Sequence, residues 1–132
     1  MMYGQSEGDL QPIGDLYKTE VYEIAQWLNK QGDLIPRGII ERAPTSELKP
    51  NQKDEDELPP YGVLDKLLKG YMEEKQTPAE LAKKLHLKEA VVQDVLHRVY
   101  RAELKRRQTA PVLQVSTCPL SDTVHPILKK IE

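Results

Sequence analysis

The sequence of 132 residues contains no phenylalanine, one tryptophan and one cysteine. Its core must therefore be mainly aliphatic, because the six tyrosines carry hydroxyl groups that need hydrogen-bond partners or water. The single cysteine, Cys118, excludes an internal disulfide bond. Its neighbours Thr117 and Pro119 offer no base that would activate a thiol, so we interpret Cys118 as an inert free cysteine.

Long hydrophobic runs and a large net charge are also absent. No apolar run approaches the roughly 20 residues of a membrane-spanning helix, and no basic N-terminal segment precedes an apolar stretch. The formal net charge of −2 gives no general reason to expect nucleic acid or an anionic membrane as a partner. The histidines at positions 86, 97 and 125 are too dispersed to predict a metal site. We expect a cytoplasmic protein with no nucleic-acid or membrane partner.

The spacing of apolar residues predicts helices in the first third of the chain. Thr19 is a suitable N-cap for a first helix, which Gly32 is placed to terminate. A short helical turn should start at Pro36, and Pro44 prevents its continuation. The first helix should pack through its apolar stripe, which consists of Val21, Ile24, Ala25 and Leu28.

The second half of the chain predicts three further helices. Residues 61–75 carry large apolar side chains at helical spacing. The clearest helix start is Thr77-Pro78-Ala79-Glu80, because Thr at the N-cap and Glu three residues later can satisfy exposed amides reciprocally. A longer helix should begin at about Lys88 and become basic over residues 101–107. A short β-like run, residues 112–115, follows it.

Residues 77–100 also have the outline of a helix-turn-helix, which leaves a DNA-binding module as an alternative function. The start of the second helix, however, would present the carboxylates of Glu89 and Asp94 to a duplex, and carboxylates repel phosphates. The turn at residues 85–87 lacks the glycine that is common in this motif. The pattern therefore favours a helical hairpin that packs on its neighbours.

Several uncommon polar motifs occur in one order along the chain. They are Gly8-Asp9, PIGDLYKT at 12–19, PTSEL at 44–48, DEDELPPY at 54–61 and ELKRRQ at 103–108. Together they resemble the NAD synthetase family, and the double proline and the ELKRRQ ending resemble its glutamine-dependent bacterial members. The resemblance implies an ATP-dependent amide ligase that converts deamido-NAD to NAD with ammonia through an adenylated intermediate.

The resemblance implies binding roles for particular residues and assigns no catalytic side chain. Lys18 and Thr45 match residues that contact ATP, whereas Asp9, Asp54 and Lys105 match residues that contact deamido-NAD. For Lys18 and Thr45, their positions in the sequence also favour phosphate binding, independently of the resemblance. Exposed amides near Lys18 favour an anion, and the Thr45 hydroxyl can donate to a phosphate or ligate Mg²⁺.

Residues 43–60 contain four prolines and a dense acidic group, a composition that predicts an extended loop. The resemblance favours a lid that closes over the ligands. The acidic run at 54–57 could bind Mg²⁺ or face a cationic group. The resemblance implies that its first residue, Asp54, lies near the nicotinate ring. Arg42, just before this loop, stands where many relatives have lysine, so a phosphate contact by its guanidinium stays open.

The phosphate loop of this family, Ser-Gly-Gly-x-Asp-Ser, does not occur in the sequence. We therefore expect residues 1–132 to be the C-terminal portion of a synthetase domain and to be inactive alone. The expected fold is a mainly α fragment of an α/β adenine-nucleotide-binding fold, of the Rossmann-like ATP-pyrophosphatase type. Expected partners are deamido-NAD, ATP, the upstream half of the synthetase, a glutaminase domain that supplies ammonia, and further copies in a homo-oligomer.

Overall fold

The structure is a computed structural model that describes residues 9–44, 58–117 and 119. Helices account for most of the regular structure in these ranges: α1 (Lys18–Lys30), α2 (Arg37–Glu41), α3 (Tyr61–Met72), α4 (Pro78–Lys84) and α5 (Glu89–Arg107). The predicted mainly helical architecture is confirmed. The β-like run at 112–115 forms no strand, and its pairing is an isolated parallel bridge between Gln11 and Val112.

The chain divides into two compact units. The central unit comprises residues 17–66, and the terminal unit comprises residues 1–16 and 67–132. The boundary falls within α3, after Lys66. In the part of the chain that the structure describes, no helix is long and apolar enough to cross a membrane.

The core of the terminal unit includes the packing of α4 on α5. Leu81 of α4 and Val92 of α5 are fully buried. Val95 and Leu96, three and four residues after Val92 on the same face of α5, are also buried. α4 begins at the predicted capping box: the Thr77 amide donates to Glu80 Oε2 at 2.8 Å, and the Glu80 amide donates to Thr77 Oγ1 at 3.4 Å. Bonding to the Thr77 amide and hydroxyl lowers the pKa of Glu80.

The turn between α4 and α5 shows how the chain replaces the missing glycine. His86 adopts a φ of 54°, in the left-handed region that glycine usually occupies. Histidine is among the few residue types that enter this region more readily than most. The predicted hairpin therefore forms with a histidine at the position that reverses the backbone.

The two chain segments of the terminal unit are joined near Asp15. The buried Asp15 carboxylate accepts the backbone amides of Val115 and Ser116 through Oδ2, at 2.9 and 2.8 Å. The backbone N–H of Gln11 donates to the Pro111 carbonyl at 2.8 Å, beside the isolated bridge. One side chain and a few backbone bonds thus hold the segment after α5 against the turn before α1.

In the central unit, α1 begins earlier than predicted. The N-cap is Tyr17, and Thr19, which we predicted as the N-cap, lies inside the first turn. The physical reason is that carboxylates satisfy both exposed amides: Glu20 Oε2 accepts from Tyr17 N–H at 2.9 Å, and Asp65 Oδ2 accepts from Thr19 N–H at 2.7 Å. The end of α1 is as predicted, because Gly32 follows it with a φ of +149°.

The prediction that α1 packs through its apolar stripe is wrong. No residue of α1 is buried, and Ile24 is 43% exposed. The adjacent α2 has only five residues, none of them buried, so it offers little surface for packing. Val21 and Ala25 from the stripe line an open groove instead.

α3 ends three residues before the predicted position. Lys75 adopts a φ of 57°, and its ammonium group donates to the carbonyl of Met72, the last helical residue. A side-chain donor at an unsatisfied C-terminal carbonyl stabilises a helix end. The predicted helix over 61–75 is therefore shorter, although it starts at Tyr61 as expected.

Candidate functional site

A groove of about 440 Å³ lies within the central unit. It is formed by one side of α1, by α2 with the residue before its N-cap, and by the segment after α2. The lining side chains are Lys18, Val21, Tyr22, Ala25, Ile35, Ile39, Ile40, Arg42, Ala43 and Pro44. Most of this wall is aliphatic, and its cationic members come from the beginning of α1 and the end of α2.

Lys18 is the first residue of α1 and interacts with the aromatic ring of Tyr22 one turn later. Its ammonium nitrogen lies 5.4 Å from the ring centroid, within the range of a cation–π interaction. Both side chains line the groove. Because Lys18 stands at the positive end of the helix dipole, a bound anion would relieve an unfavourable charge arrangement.

The electrostatic character of the groove follows from its lining. Lys18 and Arg42 supply two positive charges, and none of the lining residues is a carboxylate. A ligand with an anionic part and an apolar or aromatic part fits this combination. Elsewhere in the described residues, no group of three or more His, Cys, Asp or Glu side chains could hold a metal ion.

The predicted site residues fall into different parts of the chain. Lys18 lines the groove together with Arg42, the residue whose phosphate contact the sequence left open. Asp9 and Lys105 are exposed residues of the terminal unit. Thr45 follows the groove residue Pro44 directly, but Thr45 and Asp54 lie outside the described residues, as does most of the predicted lid.

The basic end of α5 has a partner that the sequence did not reveal. Glu103 is almost completely buried, and its carboxylate accepts hydrogen bonds from Arg106 at 2.9 Å and Arg107 at 2.7 Å. These arginines therefore do more than complement the helix dipole. Lys105 is exposed on the same helix turn.

Two residues that contact the first turn of α1 were not predicted from the sequence. Tyr22 could have been found, because it stands four residues after Lys18 and such pairs share a helix face. Asp65 gave no local signal, because it is separated from its partner Thr19 by 46 residues. A contact over that distance depends on the fold of the central unit.

Comparison with known proteins identifies the protein family. Residues 1–109 match the family described as NAD synthase, so the chain belongs to that family. The resemblance seen in the polar motifs is confirmed.

Individual relatives are glutamine-dependent NAD(+) synthetases. The chain is 38% identical to the Synechocystis sp. enzyme over 133 residues, which cover 95% of this chain and 24% of the relative. It is 41% identical to the Thermotoga maritima enzyme over 118 residues, which cover 88% of this chain and 20% of the relative. The chain thus spans about a quarter of the length of these relatives or less.

A solved structure shares the fold. It is the glutamine-dependent NAD+ synthetase from Acinetobacter baumannii in complex with adenosine diphosphate. The match has a TM-score of 0.50 and 33% sequence identity, and it covers 86% of this chain and 19% of that chain. The described helices therefore have a counterpart within a larger synthetase.

Proposed function

We propose that this chain supplies part of the active site of a glutamine-dependent NAD synthetase. In that reaction ATP adenylates the nicotinate carboxylate of deamido-NAD, pyrophosphate leaves, and ammonia from glutamine displaces AMP to give NAD. The observation that carries the proposal is the family match over residues 1–109 together with a groove that holds Lys18 and Arg42. The proposed fold is the C-terminal part of an α/β adenine-nucleotide-binding domain.

Within this proposal the groove receives ATP. Lys18 and Arg42 contact phosphate oxygens, where fixed positive charge stabilises the negative charge that develops as pyrophosphate leaves. Arg42 can form two parallel bonds to one phosphate, whereas Lys18 acts as a point charge. Thr45, which follows the groove in sequence, adds a hydroxyl donor.

The metal requires ligands from other parts of the site. The groove lining contains no carboxylate, so it fits the phosphates rather than Mg²⁺ itself. When bound, Mg²⁺ would offset phosphate charge. From this chain we propose Thr45 as a Mg²⁺ ligand, through its hydroxyl oxygen.

For deamido-NAD we propose contacts from Asp9, Asp54 and Lys105, which match binding residues of the family. In a full-length synthetase that carries residues 1–132, Asp54→Ala should raise the KM for deamido-NAD much more than the KM for ATP, because its carboxylate is assigned to the nicotinate end. Steady-state kinetics with each substrate varied in turn measure the two constants. Equal losses for both substrates would contradict the assignment.

A chimera tests the whole proposal. Residues 1–132 replace the matching segment of the Thermotoga maritima enzyme, which then supplies the phosphate loop and the glutamine-dependent part. We expect NAD formation from deamido-NAD, ATP and glutamine, and none from residues 1–132 alone. Lys18→Met in the chimera should raise the KM for ATP roughly tenfold or more, since one charged hydrogen bond contributes about 1.5–3 kcal/mol.

Lys83→Met is the matched control, because Lys83 is an exposed lysine of α4 that does not line the groove. It should leave the KM for ATP unchanged. A chimera with native circular dichroism but no activity, or equal kinetics for the two lysine variants, would refute the proposal.

The alternative of a DNA-binding helix-turn-helix receives no support. The hairpin exists, but the comparisons described above identify NAD synthetases. The region over residues 77–100 is therefore assigned to the helical part of the synthetase.

A further inference from the structure

Asp65 is buried in the central unit, where it contacts the beginning of α1. The residue lies on α3 and is 4% exposed. Its Oδ2 accepts the backbone amide of Thr19 at 2.7 Å. This amide is in the first turn of α1, where no intrahelical carbonyl is available as an acceptor.

The Asp65 bond fixes the helix turn that carries the groove lysine. Thr19 directly follows Lys18, and Lys18 lines the groove and lies over Tyr22. A negative charge at the N-terminus of a helix also favours the helical conformation of the first turn. If this turn frays, Lys18 loses both its fixed position in the groove and its contact with the Tyr22 ring.

From this geometry we propose that Asp65 is a positioning residue for nucleotide binding, which holds Lys18 in place through the Thr19 amide. The inference rests on the proposed function, because it assumes that the groove receives ATP. Asp65 touches no ligand in this mechanism. Its effect on binding arises from the fraction of molecules in which the first turn of α1 is formed.

The experiment is a nuclear magnetic resonance titration of the full ¹⁵N-labelled chain with ATP. The Thr19 amide reports the Asp65 bond, and saturable shifts of groove amides give the dissociation constant. Asp65→Ala should accelerate hydrogen exchange at Thr19 and weaken ATP binding roughly fivefold, the effect of losing one helix cap. Asp65→Asn keeps an acceptor oxygen and should weaken binding only about twofold.

A double-mutant cycle separates positioning from general destabilisation. Because Asp65 acts through Lys18, Asp65→Ala should have almost no further effect on ATP affinity in a Lys18→Met background. Additive losses would overturn the inference. So would an Asp65→Asn variant that binds ATP more tightly than the unsubstituted chain, because that result would show repulsion rather than positioning.

Thr77→Ala is the matched control. It removes the N-cap of α4 in the terminal unit and so costs comparable stability, but Thr77 does not line the groove. It should not change ATP affinity; parallel weakening by Thr77→Ala and Asp65→Ala would overturn the inference.

The failure of this inference can be distinguished from the failure of the proposed function. Unchanged ATP binding in Asp65→Ala, beside an active chimera, would overturn the positioning role alone. An inactive chimera with native circular dichroism would overturn the proposed function itself. No saturable shift in the unsubstituted chain beside an active chimera would overturn this inference.

Discussion

The two units of this chain differ in how they use their apolar residues. In the terminal unit, Leu67, Leu81 and Val92 are fully buried. In the described part of the central unit, the buried apolar side chains are Tyr17 and Leu64, while Ile24 and Trp27 of α1 are 43% and 58% exposed. The residues that form the candidate nucleotide groove thus belong to the unit with fewer buried apolar side chains among its described residues. Ligand-binding regions are commonly found in the less stable parts of a protein.

The largest expected effect comes from removing core volume in the terminal unit. Leu81→Ala should lower the free energy of unfolding by about 3 kcal/mol, because Leu81 is fully buried and a cavity would remain. Ile24→Ala, a truncation on the exposed stripe of α1, should cost less than about 1 kcal/mol. Urea denaturation measures both variants.

Similar decreases in the free energy of unfolding for Leu81→Ala and Ile24→Ala would contradict the difference between the units. That result would mean that the α1 stripe is packed in solution. The slope of the denaturation curve should stay constant if only stability changes.

Two glycines of α3 provide a matched pair across the boundary between the units. A Cβ at Gly70 would meet Leu81 Cδ2 at 2.5 Å and Gln76 Oε1 at 2.8 Å, whereas a Cβ at Gly62 meets nothing within 4 Å. Gly70→Ala should therefore destabilise the protein by about 1–3 kcal/mol through overpacking. Gly62→Ala should stabilise it by about 0.5–1 kcal/mol, because alanine favours the helix.

Thermal unfolding should therefore show a lower Tm for Gly70→Ala and a higher Tm for Gly62→Ala. Both variants replace a glycine of α3 with alanine, so a difference in helix propensity alone cannot give their stabilities opposite signs. A Gly70→Ala protein as stable as Gly62→Ala would show that Leu81 is loosely packed.

The smallest expected effect concerns the alkaline stability of the terminal unit. Burial, followed by the hydrogen bond to the Tyr100 hydroxyl, raises the pKa of Tyr71 from 10.0 to about 12. Above pH 10 the unfolded chain releases this proton before the folded chain does. The stabilising contribution is therefore complete below pH 10 and is lost as the pH rises through about 12.

Tyr71→Phe should reduce this alkaline loss, as measured by denaturation at pH 9 to 11, roughly the start of the affected window. Tyr100→Phe should reduce it less, because the burial of Tyr71 remains. Identical pH profiles for all three proteins would contradict the raised pKa of Tyr71.

Local signals in the sequence predicted much of the helical structure. The capping box at Thr77 and Glu80 fixed the start of α4, and Gly32 marked the end of α1, because both act within a few residues. Interactions over short separations are encoded by side chains next to one another. The errors at Thr19 and Lys75 arose where a tertiary acceptor or an unexpected backbone conformation decided the boundary.

The candidate site was only partly predictable. Lys18 came from a family motif, and its proximity to Arg42 in one groove appeared only in the structure. The contacts of Asp15 with Val115 and of Asp65 with Thr19 span 100 and 46 residues. No periodicity or capping rule links such distant positions, because their proximity depends on how the helices pack.

The sequence by itself determined the family, the mainly helical character and the starts of α3, α4 and α5, since these depend on motifs, apolar spacing and neighbouring side chains. Only the tertiary structure decided that Val21 and Ala25 of the α1 stripe line a groove rather than a core, and that a carboxylate from α3 accepts the Thr19 amide in the turn that carries Lys18. The physical reason is that burial and long-range hydrogen bonds depend on which surfaces meet, and a single helix pattern does not specify its partner.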